Sequence, residues 1–487
     1  MEIFDRAKTI SLINTTGSIL SWDQETFLPS GSADYRAKQL SYLASHAHEL
    51  STSQEYLDAL SASESNDDGS DAVRTANLRE LRRLSNRSVK IPTTLVAEES
   101  TAQSAGHHAW IAARKDSNFS LFAPHLEKLL EIAQKKAELW GYEYEPYDAL
   151  LESFERGTST QSIASLFDDL REKLVPISQQ AVAKTSQIKP ALPAGPYPIA
   201  AQQNFNAVVA AEIGFDFQFG RIDTTTHPFC TTLGPKDVRL TTRYDESDFT
   251  SSLFGVMHEA GHGMYEQGLP ADDFGLPSGS SVSLGIHESQ SRLWENQVGR
   301  SPEFWEKFYP VAQEHFSQLK DYPLEKFLQF AHRAEFSPIR VEADEATYDL
   351  HIILRFEIER MLLNKKIEVS DVPSTWNELF EKSFGFTPQD DTHGCLQDIH
   401  WSMGGIGYFP TYTLGNINAA QLFDAATSRP DIKEDISAAN YQSLLKWLNE
   451  NIHAHGGTLD PSVLMEKATG SSPNTAPYLK HLSARYL

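Results

Sequence analysis

Apolar residues recur at spacings of three and four along most of the chain, the period of a helix that buries one face. Leu126, Leu129, Leu130, Ala133, Ala137 and Trp140 form one such stripe, and Ile163, Leu166, Phe167, Leu170 and Leu174 form another. Both read as packing stripes, not cofactor sites. Period-two alternation is scarce. Its best case is residues 237–244 (DVRLTTRY), where Val238 and Leu240 alternate with Arg239 and Thr241 and predict one half-buried strand with a polar face. No repeat of twenty to fifty residues is present, which argues against a solenoid. Residues 61–72 (SASESNDDGSDA) lack any large apolar side chain and predict a mobile surface loop. Residues 190–198 (PALPAGPYP) predict a stiff, extended connection. It divides an N-terminal helical lobe, 1–187, from a catalytic lobe, 188–487, which together make one catalytic unit. The expected fold is a compact, mainly α-helical body with a very small β element.

Composition narrows the function classes. The 42 basic residues against 66 acidic ones leave a net charge of −24, which repels phosphate backbones and anionic lipid surfaces. Nucleic acid and membranes are therefore not expected partners. The N-terminal residues lack a basic region followed by an apolar core, so no signal peptide is read, and no apolar run reaches the roughly 18 residues of a membrane span. Two cysteines far apart, Cys230 and Cys395, make no disulfide framework. The expected address is cytoplasmic, with both thiols acting as small buried hydrophobes.

Chemistry concentrates in residues 254–268 (FGVMHEAGHGMYEQG), which contain H-E-x-x-H as His258, Glu259 and His262. Two histidines one helical turn apart share a face and can place two imidazole nitrogens on one zinc ion. Glu259 is rotated by about 100° from His258, within reach of the attacking water without ligating the ion. The small residues Gly255, Ala260, Gly261 and Gly263 around these side chains favour close packing over helix propensity. A catalytic zinc needs a third protein ligand and an open position. Glu288, in residues 286–294 (IHESQSRLW), is the first choice, since the Gly, Pro and Ser-rich stretch before it can turn the chain back; Glu266 is the second. The competing reading for Glu288 is an i,i+4 pair with Arg292. With Glu259 as base, the chemistry is metal-assisted amide hydrolysis.

Ordered motifs around this centre resemble a known family. They are LSWDQETFLP (20–29), His227-Pro228-Phe229, Asp237 to Thr241, H-E-x-x-H, His287-Glu288-Ser289-Gln290, IRVEAD (339–344), GCLQDIHW (394–401) and WLNENIHAHG (447–456). Nearly end to end, the chain resembles the Taq-type thermostable metallocarboxypeptidases, which look like distant relatives of angiotensin-converting enzyme and neurolysin. The resemblance implies a neurolysin-like helical body with a deep substrate groove, usually a homodimer. Such enzymes remove single residues from the free C-termini of peptides with Zn2+ or, in some members, Co2+. It implies His258, His262 and Glu288 as metal ligands and Glu259 as general base. A fixed guanidinium suits the terminal carboxylate because its planar fork binds both oxygens. Arg340 is the first candidate and Arg239 the second; the competing readings are ion pairs of Arg340 with Asp344 or Glu342 and of Arg239 with Asp237 or another buried acid. For transition-state donors the similarity points to His400, His227, and Tyr412 or Tyr408, the two tyrosines being inseparable by sequence. His453 and His455, two apart beside Gly456-Gly457, read as surface residues at a helix end. The 22% charged fraction, polar loops and few ion-pair runs give no sign of thermophily.

Two other functions compete. One is a zinc endopeptidase or dipeptidyl carboxypeptidase of the same class, separated by the length of the released fragment. The other is a noncatalytic peptide-binding scaffold with a structural zinc or none.

Overall fold

The computed structural model describes residues 2–487. Helices dominate, from Ile3–Thr26 to Ala476–Tyr486, and a three-stranded sheet interrupts them once. The strands are β1 (Gly220–Thr224), β2 (Cys230–Thr232) and β3 (Val238–Thr242). β3 lies in the centre, parallel to β1 with Ile222 opposite Leu240, and antiparallel to β2 with Cys230 opposite Leu240.

The expected strand is present, and its polar face is only partly open: Arg239 is half-buried and Thr241 buried. Val238, Leu240, Thr241 and Thr242 are all buried, Val238 and Leu240 in a core shared with Val256 and Ala260, and Thr241 satisfies its hydroxyl on the Phe229 carbonyl. β2 escaped the pattern because three residues are too short for alternation to register, and β1 (GRIDT), as long as β3, carries a single apolar side chain, Ile222. The loop read over residues 61–72 is shorter, confined to 66–71. The Gln54–Ser65 helix, capped by Ser53 and anchored by buried Tyr56 and Leu60, runs into that stretch, and Ala72–Lys90 is helical again. Small polar residues sit on an exposed helical face as readily as in a loop. Of the cysteines, Cys395 is buried as expected, whereas Cys230 is half-buried on β2.

The chain forms two compact units, each assembled from three stretches. The first comprises Met1–Ser88, Pro190–Ala331 and Asn418–Ser472. Its core runs from Val238 and Leu240 through Val256, Met257 and Ala260 to Trp294, Trp305 and Trp447. The second comprises Val89–Lys189, His332–Ile417 and Pro473–Leu487. Both apolar stripes from the sequence lie in it and are largely buried, leaving Trp140 and Leu166 half-exposed. Its Tyr348–Leu363 helix is buried nearly all round, polar residues included, so Asp349 accepts from Thr413, Asn416 and Tyr478. This division differs from two consecutive lobes. The proline-rich stretch marks one crossing, at Lys189/Pro190, because a stiff segment shows where a helix stops but not which helices pack together.

Candidate active site

The H-E-x-x-H residues lie on the Phe249–Gly268 helix of the first unit, which starts where Asp248 accepts from the Thr250 N–H at 2.8 Å. Its glycines explain the cluster of small residues. A Cβ on Gly261 would meet the Gln290 carbonyl oxygen and the Ser291 Cα at 2.6 Å, both on the Leu284–Arg292 helix that carries Glu288. A Cβ on Gly263 would strike the Phe215 ring at 2.7 Å and Leu240 at 3.0 Å. Missing side chains thus let a second helix and the sheet approach the motif closely.

That approach brings three ligand atoms together. Nε2 of His258 and Nε2 of His262 lie 3.7 and 3.5 Å from Oε2 of Glu288, and the three atoms fall within 4.8 Å of one another. Donors about 2.1 Å from a tetrahedral ion stand roughly 3.4 Å apart, so the donor set fits a small divalent metal such as zinc. Glu266 does not converge with them. Both readings of Glu288 hold at once, since Arg292 Nε donates to Oε1 at 2.7 Å while Oε2 faces the histidines. Burial raises the Glu288 pKa, but Arg292 and His258 outweigh it and hold the carboxyl well below the usual range. At Glu259 burial outweighs the lowering influence of His258 and pushes the carboxyl up to about 7. Burial takes His262 down to about 3, so it is neutral and able to ligate.

A second layer braces these three side chains, and the sequence reading missed most of it. His258 Nδ1 lies 2.9 Å from Glu295, which also faces Arg292 and Arg300 at 3.3 and 3.5 Å. His262 Nδ1 meets His287 Nδ1 at 2.6 Å, and His287 Nε2 meets Glu266 at 2.9 Å. Glu266 therefore sits one step behind His262. Glu295 lies in the π-helical segment Leu293–Val298, whose wider turn breaks the spacing a sequence search would use. His453 corrects the surface reading. It is fully buried, with its ring nitrogens 2.6 Å from Asn449 and 2.9 Å from Gln290, so residues 447–456 brace the helix that bears Glu288.

The other candidates distribute as follows. Arg239 is paired with Asp237 at 2.8 Å and lies over the Trp22 ring, the competing reading for that residue. His227 is exposed between β1 and β2. In the second unit, Arg340 is 7% exposed and pairs with neither Asp344 nor Glu342; its Nε donates to Asp398 at 2.9 Å and its Nη1 to the Tyr348 hydroxyl at 2.8 Å. Fully buried Arg355 donates to the other Asp398 oxygen at 2.6 Å. Arg340 also lies 5.1 Å from the centre of the Tyr412 ring. The Tyr412 hydroxyl is 3.2 Å from His400 Nε2, and the Tyr408 ring packs 5.3 Å from His400. Burial pulls His400 down to about 4, leaving it neutral near pH 7. Asp398, Arg355 and Tyr348 were not legible beforehand; Asp398 two residues before His400 was the one available signal.

Two histidines and a glutamate on one helix, completed by a carboxylate from the next, define a metallopeptidase. The chain belongs to the carboxypeptidase Taq (M32) metallopeptidase family, whose profile matches residues 2–486. Over its full length it is 39% identical to thermostable carboxypeptidase 1 of Thermus thermophilus, covering 98% of that protein, and 37% identical to carboxypeptidase 1 of Bacillus subtilis, covering 97%. The solved M32 carboxypeptidase of Deinococcus radiodurans matches with a TM-score of 0.95 at 36% identity, over 99% of this chain and 98% of that one. The carboxypeptidase of Pyrococcus furiosus matches at 0.96 and 34%, over 100% and 98%. The protein is thus a metallocarboxypeptidase, a metal-dependent peptide hydrolase, and the family and fold expected from the motifs are both found.

Proposed function

We propose that the ion is zinc, with cobalt a workable substitute, held by His258, His262 and Glu288, and that the enzyme releases single amino acids from peptides with a free C-terminus. The observation that carries this reading is the convergence of three donors with separations near 3.5 Å on two helices locked together at Gly261. When bound, the ion supplies Lewis acidity to the scissile carbonyl and to the attacking water. Glu259 takes the proton of that water as general base and returns it to the leaving amine. His400 and Tyr412, joined by their hydrogen bond, are donors to the developing oxyanion, with Tyr408 lining the substrate and His227 a further donor. Arg340 binds the terminal carboxylate. Asp398 and Tyr348 engage its Nε and Nη1, and a guanidinium has five N–H donors, more than those two partners use. Arg239 is the weaker candidate because Asp237 already takes two of its nitrogens. The family resemblance supports a homodimer, and the acidic charge with two unpaired cysteines supports a cytoplasmic address. No helix among the described residues is long and apolar enough to cross a membrane.

The test is a mass-spectrometric time course with added zinc or cobalt, on one peptide with a free C-terminus and on its amidated twin. Single-residue losses from the free acid alone are expected. Internal or two-residue cuts would point to an endopeptidase or dipeptidyl carboxypeptidase. In the same assay Arg340→Ala should slow the free acid by about 10²-fold and leave residual cleavage of the amide unchanged, as expected when a charge-assisted contact of about 3 kcal/mol is lost. Equal losses on both would remove Arg340 from the carboxylate site.

Gly261→Ala tests the packing beneath the metal site. The added Cβ meets backbone, which cannot swing aside, so the helix bearing Glu288 must shift. Overpacking of this kind costs about 1–3 kcal/mol, and zinc affinity should fall with stability. Thermal melts and chelator competition read both, and a variant with native affinity would show that the close approach is not needed.

A further inference from the structure

We infer that His287 is a positioning residue, which passes hydrogen bonding from Glu266 to His262 and fixes His262 in the tautomer that leaves Nε2 free for the metal. This rests on the reading of His262 as a ligand. The two ligand histidines are held differently: His258 leans directly on a carboxylate, whereas a second imidazole stands between His262 and its carboxylate.

The protons can be placed one by one. A ring nitrogen that binds a metal offers its lone pair, so the proton of neutral His262 sits on Nδ1. Nδ1 of His287 is 2.6 Å away and must accept it. With Nδ1 accepting, the His287 ring carries its proton on Nε2, which lies 2.9 Å from Oε1 of Glu266, an acceptor. The opposite tautomer, donating from His287 Nδ1, would set a bare Nε2 against a carboxylate oxygen. It would also force the His262 proton onto Nε2, where the metal belongs. The far end of the relay is anchored as well, since the Thr232 hydroxyl on β2 donates to Oε2 of Glu266 at 2.9 Å. Backbone geometry holds the middle member: the His287 N–H bonds the Ser283 carbonyl at 3.0 Å in the first turn of its helix, and its ring packs 5.4 Å from that of Tyr265.

The relay orders acceptor and donor in a way a glutamine can copy, with its carbonyl toward His262 and its amide toward Glu266. Zinc dissociation constants of the full-length protein, from chelator competition at one pH, therefore test it. His262→Ala should abolish tight zinc binding. His287→Ala should weaken it about 10–100-fold, the usual effect of removing a partner of a metal ligand. His287→Gln should recover most of that loss, which a merely space-filling role would not predict. Glu266→Gln alone should weaken binding, but His287→Ala with Glu266→Gln should be no weaker than His287→Ala alone, because Glu266 acts through His287. Losses that add in the double variant, or a His287→Gln no better than His287→Ala, would overturn the relay. Tight zinc binding retained in His262→Ala would instead overturn the ligand assignment beneath it.

Discussion

Glu259→Gln is expected to lower kcat/KM by about 10²–10⁴-fold while zinc binds as in the parent enzyme. The substitution keeps the shape of the side chain and removes only its ability to take a proton from water. His258 and His262 project from their own positions on the helix, and Glu288 comes from another, so the donor set is untouched. Steady-state kinetics on the free-acid peptide, with a chelator titration beside them, separate the two effects. Loss of zinc together with activity would make Glu259 a structural part of the metal site. The same variant should reveal a stability effect in the metal-free protein. Burial raises the Glu259 carboxyl from 4.5 to about 7, so the folded state holds a proton that the unfolded state releases. Stability therefore falls as pH rises between those two values, by up to about 3 kcal/mol in all. Glu259→Gln lacks that loss and should melt higher than the parent at pH 8, with the gap closing towards pH 4. A gap independent of pH would contradict the assignment.

Asp398→Ala should destabilise the protein by about 3–5 kcal/mol, since it strands two guanidiniums behind one removed carboxylate. Arg355 is fully buried and Arg340 nearly so, and each takes one oxygen of Asp398. Burial disfavours all three charges. It pulls Arg355 below the ordinary guanidinium range, whereas at Arg340 the Asp398 carboxylate outweighs it and the pKa rises. Burial also raises Asp398, but the two guanidiniums prevail and keep it well below the usual carboxylate range. A depressed carboxyl stabilises the fold above its unfolded pKa, and that contribution disappears only as pH falls through the folded value. The difference between Asp398→Ala and the parent should therefore be constant across neutral pH and shrink only in strong acid. Urea titrations at pH 7 and pH 3 measure it. A change below about 1 kcal/mol at pH 7 would mean that water compensates the arginines. Activity should fall with stability, because Arg340 loses the partner that holds its fork in place.

Much of the site was legible because its signals are local. Histidines four apart share a helical face wherever that helix lies, and Glu259 follows from the same geometry. Glu288 followed from the need for a third ligand and from the motif around it. The bracing residues were not legible, for they depend on contacts between distant segments. Glu266 reads as a spare ligand by spacing alone, yet His287, 21 residues on, lies between it and the centre. His453 reads as a helix-end residue by its glycine neighbours, yet it reaches Gln290 across 163 positions. Asp398 gives no hint in IRVEAD that it, and not Asp344, pairs with Arg340.

The sequence by itself determined the helical character, the placing of the H-E-x-x-H residues and, through its ordered motifs, the family, since hydrophobic period and i,i+4 spacing are properties of the chain within a few residues. Only the tertiary structure decided which glycine admits the second helix, which imidazole meets His262, how two arginines share one carboxylate and that a three-residue strand anchors Glu266. Those choices come from close packing and from the need of every buried polar group for a partner, and both are settled between segments far apart in the chain.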